Sequence, residues 1–516
     1  MDNNYDVVVI GSGNAGLIAA TTLAKMKKKV LLLEKHNVPG GFATSFVRGR
    51  FEFEPALHEL CDLGNKQTPG FVYKLFEELG IEVEWQEVPD AYRILCNKDG
   101  KKFDYVLPFG IEAFSQACEK YSPGSYKSVQ KLFDICLEMK DAIKYLDECR
   151  GKPDSKFLKK NFPNYLTTAS YTLKEVLEGL KMPVLARNII EAYWVYLGLP
   201  SSQLSFTLYG IMLLEYIKYG AYVPTYRSHE ISQAILSKFQ EYGGEVWFNS
   251  EVNEIIVENN EIKGVVTKDK IVKTNHVVSN ASQHIVYGKL IKNDLVPKYD
   301  RNLANWRKPG PQGYSFYLGL NKSIEELKLH DYSYFMYSNL DTDVQYENMK
   351  SIEKNNDYIV VVLNVANKKA SPEGTAILSF TTLYFDAWNN VNEDNYFQVK
   401  NKIANRFIED FEKQTNIKIK DHIEEIEVAT PVTFSRYTST ANGAIYGYGA
   451  YPQDSILVRG TLLDDEVHIK GLRFCGGNAF RAHGYSTTYL SGRTIGLKTF
   501  VDIQDDIKNS KVEGGI

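Results

Sequence analysis

The sequence has little of what decides most protein classes outright. No apolar run reaches the ~18 residues that a membrane span needs. The best stretch, Tyr209 to Ile217, is short and carries Glu215. Integral insertion is therefore not expected, while attachment at a membrane surface stays open. Charge of one sign is also scarce: 60 Lys and Arg against 64 Asp and Glu leave a net charge of −4. With no basic stripe, sequence-independent nucleic-acid binding is not expected. Cysteine is sparse, with six in 516 residues (Cys61, Cys96, Cys118, Cys136, Cys149 and Cys475) and no C-x-x-C pair. Only His58 stands near Cys61, so neither a metal site nor a disulfide scaffold is expected, only thiols in a reducing cytosol. Internal repeats, low-complexity tracts and Ser/Pro linkers are missing, which fits interleaved domains better than beads on a string. No targeting segment stands out: Met1 to Asn4 are polar and lead straight into an apolar strand. A cytoplasmic protein is expected.

What is present is ordinary in bulk and specific in places. Hydrophobic residues make up 44%, charged residues 24% and aromatic residues 13%, with 34 Tyr. At ~150 residues per domain, two or three domains are expected. Tyr5 to Ile10 reads as a buried strand, followed by Gly11-Ser12-Gly13-Asn14-Ala15-Gly16 and a helix with Leu17, Ala20, Leu23 and Ala24 on one face. Val30 to Leu33 form a second apolar strand ending in Glu34. This is the complete strand–turn–helix–strand setting of a dinucleotide site. Gly11 permits the turn, Gly13 lets backbone approach a pyrophosphate, and Gly16 lets helix and strand pack. The helix N-terminus, with Asn14 and Ala15, offers N–H groups and partial positive charge to the diphosphate. Glu34 would accept from ribose hydroxyls and disfavours a 2′-phosphate.

Lys35 to Ala43, Thr44 and Phe46 follow directly, and the pair Gly40-Gly41 allows close backbone approach to a ligand. Here the sequence resembles the FAD family that spans amine oxidases, phytoene desaturases, carotenoid isomerases and retinol saturases. Phe51-Glu52-Phe53-Glu54-Pro55-Ala56-Leu57-His58 looks like the F-x-F-D-x-G-x-H stretch of its saturase and desaturase branch, with Glu54 for Asp and Ala56 for Gly. Phe42 stands where amine oxidases carry Arg, which argues against that branch. Thr430 to Tyr437 with Asn442 to Gly447, and Gly471 to Asn478 with His483 to Thr487, resemble the family's C-terminal FAD motifs. The resemblance implies that Gly477, Asn478, Gly484, Tyr485 and Ser486 approach the flavin, that Lys35, Phe42, Ala43 and Thr44 line its site, and that the backbone of Val252 meets the adenine. It also implies FAD as cofactor. At Tyr222 to His229 the family's Gly-Gly is replaced by bulkier residues, which points to a reshaped cavity.

Residues ~66 to 225 read as mainly helical, with Thr172-x-x-Glu175 as a capping box and Ser125 as a cap for the helix that follows. Strand-like runs occupy 314–320, 358–363 and 376–385, with a helix over 395–411. The expected fold is α/β: a Rossmann-like FAD domain (1–66, 226–290 and 425–516) interleaved with an α+β substrate domain (67–225 and 291–424).

His58 is the first catalytic candidate, since its segment is implied to lie on the substrate side of the flavin and a His moves protons near neutral pH. Glu54 is a second, as acid or base. Arg436, Tyr437 and His483 are read as supporting residues. There is no second G-x-G-x-x-G in a strand–helix setting, so electrons enter or leave through an unknown partner or return to the substrate. The expected function is an FAD-dependent oxidoreductase that saturates or desaturates carbon–carbon double bonds of a long apolar polyene or lipid-like substrate. The alternatives are a redox-neutral double-bond isomerase, a flavin amine oxidase, and a non-enzymatic lipid-binding protein of the same fold. Peripheral membrane contact through helices within 66–225 is expected.

Overall fold

Val7–Ile10 is apolar at every position because both of its faces are buried. Val7 and Val9 pack into one core with the helix Asn14–Lys25, while Val8 and Ile10 pack into another with Val252, Ile255 and Val265. The neighbouring Val30–Leu33 divides in the same way, Val30 and Leu32 to the helices, Leu31 and Leu33 to the other side. A period-2 strand buried on both faces shows no polar alternation. In this computed structural model the described residues are 4–513 apart from 99–100, 150–152, 269, 455–458, 460–462, 464–466 and 480–482.

These strands centre a five-stranded parallel sheet in the order Leu472–Phe474, Val277–Ser279, Val7–Ile10, Val30–Leu33, Glu245–Trp247. The helices Asn14–Lys25, Arg227–Glu241 and Tyr485–Glu513 cover one face. The first and last of these meet very closely: a Cβ on Gly492 would lie 2.3 Å from the carbonyl oxygen of Ala15. A three-stranded antiparallel sheet, Val252–Glu258, Glu261–Thr267 and Ile271–Lys273, covers the other face.

The second unit is a seven-stranded mixed sheet in the order Ile423–Ala429, Gln312–Leu320, Ala376–Tyr384, Tyr358–Val362, Ser333–Tyr337, Tyr92–Lys98, Lys101–Leu107. Every pairing is antiparallel except that of Ser333–Tyr337 with Tyr92–Lys98. One face packs on the helix Tyr396–Thr415 through stacked rings, Phe316 on Phe380 at 4.4 Å and Tyr358 on Phe407 at 4.4 Å. Helices between 111 and 219 build the remaining core with its opposite face. The architecture is α/β, a Rossmann-like sheet whose strands come from both ends of the chain, interleaved with helices and a mixed sheet.

The segment 66–225 is mainly helical, and the hairpin Tyr92–Lys98 and Lys101–Leu107 within it extends the mixed sheet. One reading needs correction. Ser125 does not cap the helix Tyr126–Glu148: its buried hydroxyl has no partner, and the Glu119 carboxylate accepts from the N–H groups of Gly124 and Tyr126 instead. The Thr172–Glu175 capping box is present. All six cysteines are free, and no helix among the described residues is long and apolar enough to cross a membrane.

Candidate active site

The turn Gly11–Gly16 leaves the end of the central strand and opens into one cavity of about 1860 Å³. Small-molecule pockets run to roughly 300–1,000 Å³, so this volume admits more than one ligand-sized body. Gly11, Gly13, Asn14 and Ala15 form its first wall. A Cβ on Gly13 would lie 2.5 Å from Asn280 Nδ2, so a side chain there would fill the approach to the helix N-terminus. The helix Asn14–Lys25 has no side-chain cap, and Asn14 Oδ1 is buried without a partner. A bare helix N-terminus facing a cavity suits a diphosphate. Gly16 lies behind the wall, where a Cβ would sit 2.0 Å from the Gly11 carbonyl oxygen; it serves packing only.

Glu34 is buried at the end of its strand and lines the cavity. Its Oε2 accepts from the N–H and hydroxyl of Ser12, at 2.8 and 2.6 Å, and Oε1 accepts from the N–H of His36 at 2.9 Å. The Gly40 N–H donates to the Ser12 carbonyl at 2.9 Å, which lays the Gly40-Gly41 pair along the turn. Both glycines have positive φ, +116° and +61°. Lys35, Phe42 and Val252 also line the cavity, whereas Ala43 and Thr44 do not. The Ala43 carbonyl instead accepts from Ser232 at 2.6 Å. Over this end passes the segment after helix Pro431–Thr438: Lys35 Nζ donates to Ser439 Oγ at 2.5 Å, and His36 Nε2 to the Tyr437 carbonyl at 2.6 Å. Tyr437 faces the cavity; Arg436 does not.

Gly477, Asn478, Gly484, Tyr485 and Ser486 come back to the same cavity from the C-terminal side. The N-terminus of the helix Tyr485–Glu513 is fixed here, because Ser486 Oγ donates to the Cys61 carbonyl at 2.8 Å and Tyr485 OH to Ser228 Oγ at 3.0 Å.

Farther in, His58 lines the wall, with Nε2 3.2 Å from Thr381 Oγ1, itself 2.9 Å from Ser315 Oγ. Burial holds its imidazole down at about 4, so it is neutral at pH 7. Glu54 is not on the wall. It is buried behind it, where Oε2 accepts from the Ser228 N–H at 2.7 Å and Oε1 from the Leu57 N–H at 3.1 Å. Burial still pushes this carboxyl up to about 7 against those bonds. In the segment 222–229, where bulkier residues stand for the family's Gly-Gly, Arg227 takes a left-handed φ of 74°. Its buried guanidinium donates to the carbonyls of Glu52 and Ala370.

Comparison with known proteins follows this geometry. Residues 9–78 match a family described as an NAD(P)-binding Rossmann-like domain. The chain is 27% identical over 477 residues to the all-trans-retinol 13,14-reductase of Danio rerio, covering 86% of this chain and 77% of that protein. It is 24% identical over 512 residues to the chloroplastic prolycopene isomerase of Daucus carota, covering 97% and 80%. Over most of its length the chain is thus similar to proteins named as a retinol reductase and a prolycopene isomerase. Its fold is also that of a putrescine oxidase variant, at a TM-score of 0.62 and 13% identity over 96% of this chain and 99% of that one.

In this chain the cavity extends past His58 between two helices. Leu208, Ile211 and Met212 from Phe206–Tyr219 face Ile143 and Leu146 from Tyr126–Glu148. The channel carries a charged cluster, Lys140 with Glu215 at 2.6 Å, Tyr219 OH at 3.1 Å and Asp62 at 3.8 Å. Burial and the neighbouring Asp62 raise Glu215 well above the usual carboxylate range. His483, read from sequence as a supporting residue, lies on the wall itself, stacked on Tyr446 at 4.2 Å. Glu59 and Tyr196 are also on the wall and were not singled out from sequence. The one available signal was the acid immediately after His58.

Proposed function

We propose that this chain is an FAD-dependent oxidoreductase that saturates or desaturates carbon–carbon double bonds of a long apolar polyene or lipid-like substrate. The observation that carries the reading is the continuity of one cavity from the glycine-rich turn to the apolar channel at Leu208, Ile211 and Met212. A polar dinucleotide and an apolar chain have room to meet within it.

When bound, FAD supplies hydride or single-electron transfer. This chain's residues do the rest. The backbone at Gly11, Gly13 and Asn14 would take the diphosphate, Glu34 the ribose, and the start of helix Tyr485–Glu513 the flavin end, where its dipole favours negative charge. Leu57, Leu60, Tyr196 and Tyr216 would exclude water around the reacting carbons. We assign the FAD unit to 1–66, 226–290 and 425–516 and the substrate unit to 67–225 and 291–424. The relatives, named as a retinol reductase and a prolycopene isomerase, support a polyene substrate.

Redox-neutral isomerisation is the second reading, favoured by the span of the prolycopene isomerase match, 97% of this chain. An external electron partner is required only in the first reading. Substrate delivery from a membrane is supported by exposed Phe157 and Leu166 beside exposed Lys156, Lys159 and Lys160 on two packed helices. The testing experiment is the visible spectrum of the purified protein before and after anaerobic reduction, then incubation with all-trans-retinol and with prolycopene. Flavin bands that bleach, with a substrate that loses or gains a double bond, support the reading. A colourless protein that takes up no FAD overturns it. Double-bond isomerisation with no net electron uptake moves the second reading to the front.

A further inference from the structure

Three polar groups on the inner cavity wall, the buried Glu59 and His483 and the half-buried His58, are arranged around Tyr196. Its hydroxyl donates to Glu59 Oε1 at 2.7 Å. Its carbonyl accepts from His483 Nε2 at 3.0 Å, and the edge of His58 meets its ring at 5.7 Å. Two atoms of this group are buried without any partner, Glu59 Oε2 and His483 Nδ1. Both residues line the cavity. A buried polar atom left unpaired costs about 1–3 kcal/mol, so one kept within a residue of the cavity wall marks a group that calls for a proton or a partner.

The two atoms differ in chemistry. His483 donates through Nε2, so Nδ1 is a bare acceptor, and burial holds the ring down at about 4. Glu59 forms no ion pair among the described residues. The groups packed about it are Tyr193, Tyr216, Tyr332 and Cys61, all pushed upward by burial and so uncharged at neutral pH. Lys140, on the same cavity wall, is engaged by Glu215 and Asp62. Burial therefore raises the Glu59 carboxyl to about 7, against the opposing bond from Tyr196. A group poised near the working pH gives and takes protons best.

We propose that Glu59, oriented by the Tyr196 hydroxyl, is the catalytic acid and base of this cavity, exchanging a proton between its carboxyl group and a carbon of the bound polyene. The inference rests on the double-bond reading above. In the saturating direction the Glu59 O–H bond breaks and its electron pair stays on the carboxylate. The π pair of the double bond forms the new C–H bond, and a hydride from the reduced dinucleotide completes the neighbouring carbon. The substrate gains two hydrogens and two electrons, and the dinucleotide loses two electrons. In the isomerising direction the same carboxylate takes a proton back, and no electrons are exchanged. His58, neutral throughout this range, contacts the ligand without supplying the proton.

The test uses the full chain loaded with FAD, reduced with dithionite and mixed with all-trans-retinol in deuterated water. The wild type is expected to place a solvent deuteron on the product, and Glu59→Gln to lose roughly 10²–10⁴-fold in turnover with flavin spectrum and retinol affinity unchanged. Tyr196→Phe removes a bond that favours the charged form, so its kcat profile shifts to higher pH. A second readout needs no cofactor: the infrared carbonyl band of a protonated carboxyl, present in the apo protein at pH 6, weaker at pH 8 and reduced in Glu59→Gln. Turnover by Glu59→Gln at the wild-type rate, or no infrared difference between the two proteins, overturns the proposal. Failure to retain FAD or to transform retinol counts against the double-bond reading instead, and the infrared difference then decides whether Glu59 holds the proton.

Discussion

The main-chain N–H of Ser228 points at Glu54 Oε2 from 2.7 Å. That bond ties the loop before His58 to the start of the helix Arg227–Glu241. Glu54 thus acts as a clamp behind the cavity wall. Glu54→Ala leaves the Ser228 and Leu57 N–H groups buried and unpaired, and it is expected to lower the unfolding free energy by about 1–3 kcal/mol per group. Urea denaturation measures this. Flavin retention by the folded fraction is expected to persist, because Glu54 does not reach the cavity.

The buried carboxyls give stability a pH dependence of known sign. Glu54, Glu59 and Asp357 are raised to about 7 and Glu191 to about 8. Each binds a proton in the folded protein over a range where the unfolded chain has lost it. Their contribution is complete below about pH 4.5 and is lost as pH rises through 7. His58 and His483, held at about 4, act oppositely: stability is lost as pH falls from about 6.5 toward 4. Glu59→Gln removes one ionisation worth roughly 3 kcal/mol between the limbs. Its Tm is expected to fall less than that of the wild type between pH 6 and pH 9, as thermal scans in matched buffers would show.

Gly13→Ala is expected to cost the dinucleotide before it costs the fold. The added Cβ meets Asn280 Nδ2 at 2.5 Å and occupies the approach to the helix N-terminus, while the backbone there needs no left-handed φ. Gly16→Ala differs, since its Cβ meets the Gly11 carbonyl at 2.0 Å and pushes helix from strand. Purification of the two variants should give a folded, colourless Gly13→Ala and a poorly soluble Gly16→Ala. A yellow Gly13→Ala would count against the assigned diphosphate position.

The exposed lysines of the helix Ser155–Asn161 predict binding to acidic vesicles. Reversing Lys156, Lys159 and Lys160 to Glu removes attraction of about 1 kcal/mol per residue. Co-sedimentation with phosphatidylserine vesicles is expected to fall by more than tenfold, and raised salt should mimic the change. Equal partition of wild type and triple variant would remove this helix from the membrane reading.

How much of this was legible depended on the range over which each feature is encoded. Val7–Ile10, the glycine turn and Val30–Leu33 sit within one short stretch, and their pattern is local. The hairpin at 92–107 was hidden because Lys101–Leu107 is an edge strand carrying Lys101, Lys102 and Asp104, the charges that protect a free edge and erase a strand's apolar signature. The stretch 222–229 was visible as bulk replacing glycine, yet the buried bonds of Arg227 to Glu52 and Ala370 depend on partners distant in sequence. Glu59 and Tyr196 lie 137 positions apart, and the unpaired state of Glu59 Oε2 exists only once both are buried. Glu54 and His58, by contrast, shared one recognisable stretch but separated in role, because successive turns of that loop send one side chain behind the wall and the other onto it.

The order of strands in the parallel sheet sets a timetable for synthesis. Val7–Ile10 leaves the ribosome first, yet its neighbour Val277–Ser279 emerges much later, and the outer strand Leu472–Phe474 later still. At roughly 5–20 residues per second, the first strand waits on the order of 20 to 90 seconds for the last. Throughout that interval a wholly apolar strand has no completed sheet to join. The nascent chain is thus a ready client for holding chaperones, and any stop codon before the final helix would release a protein whose nucleotide pocket was never assembled.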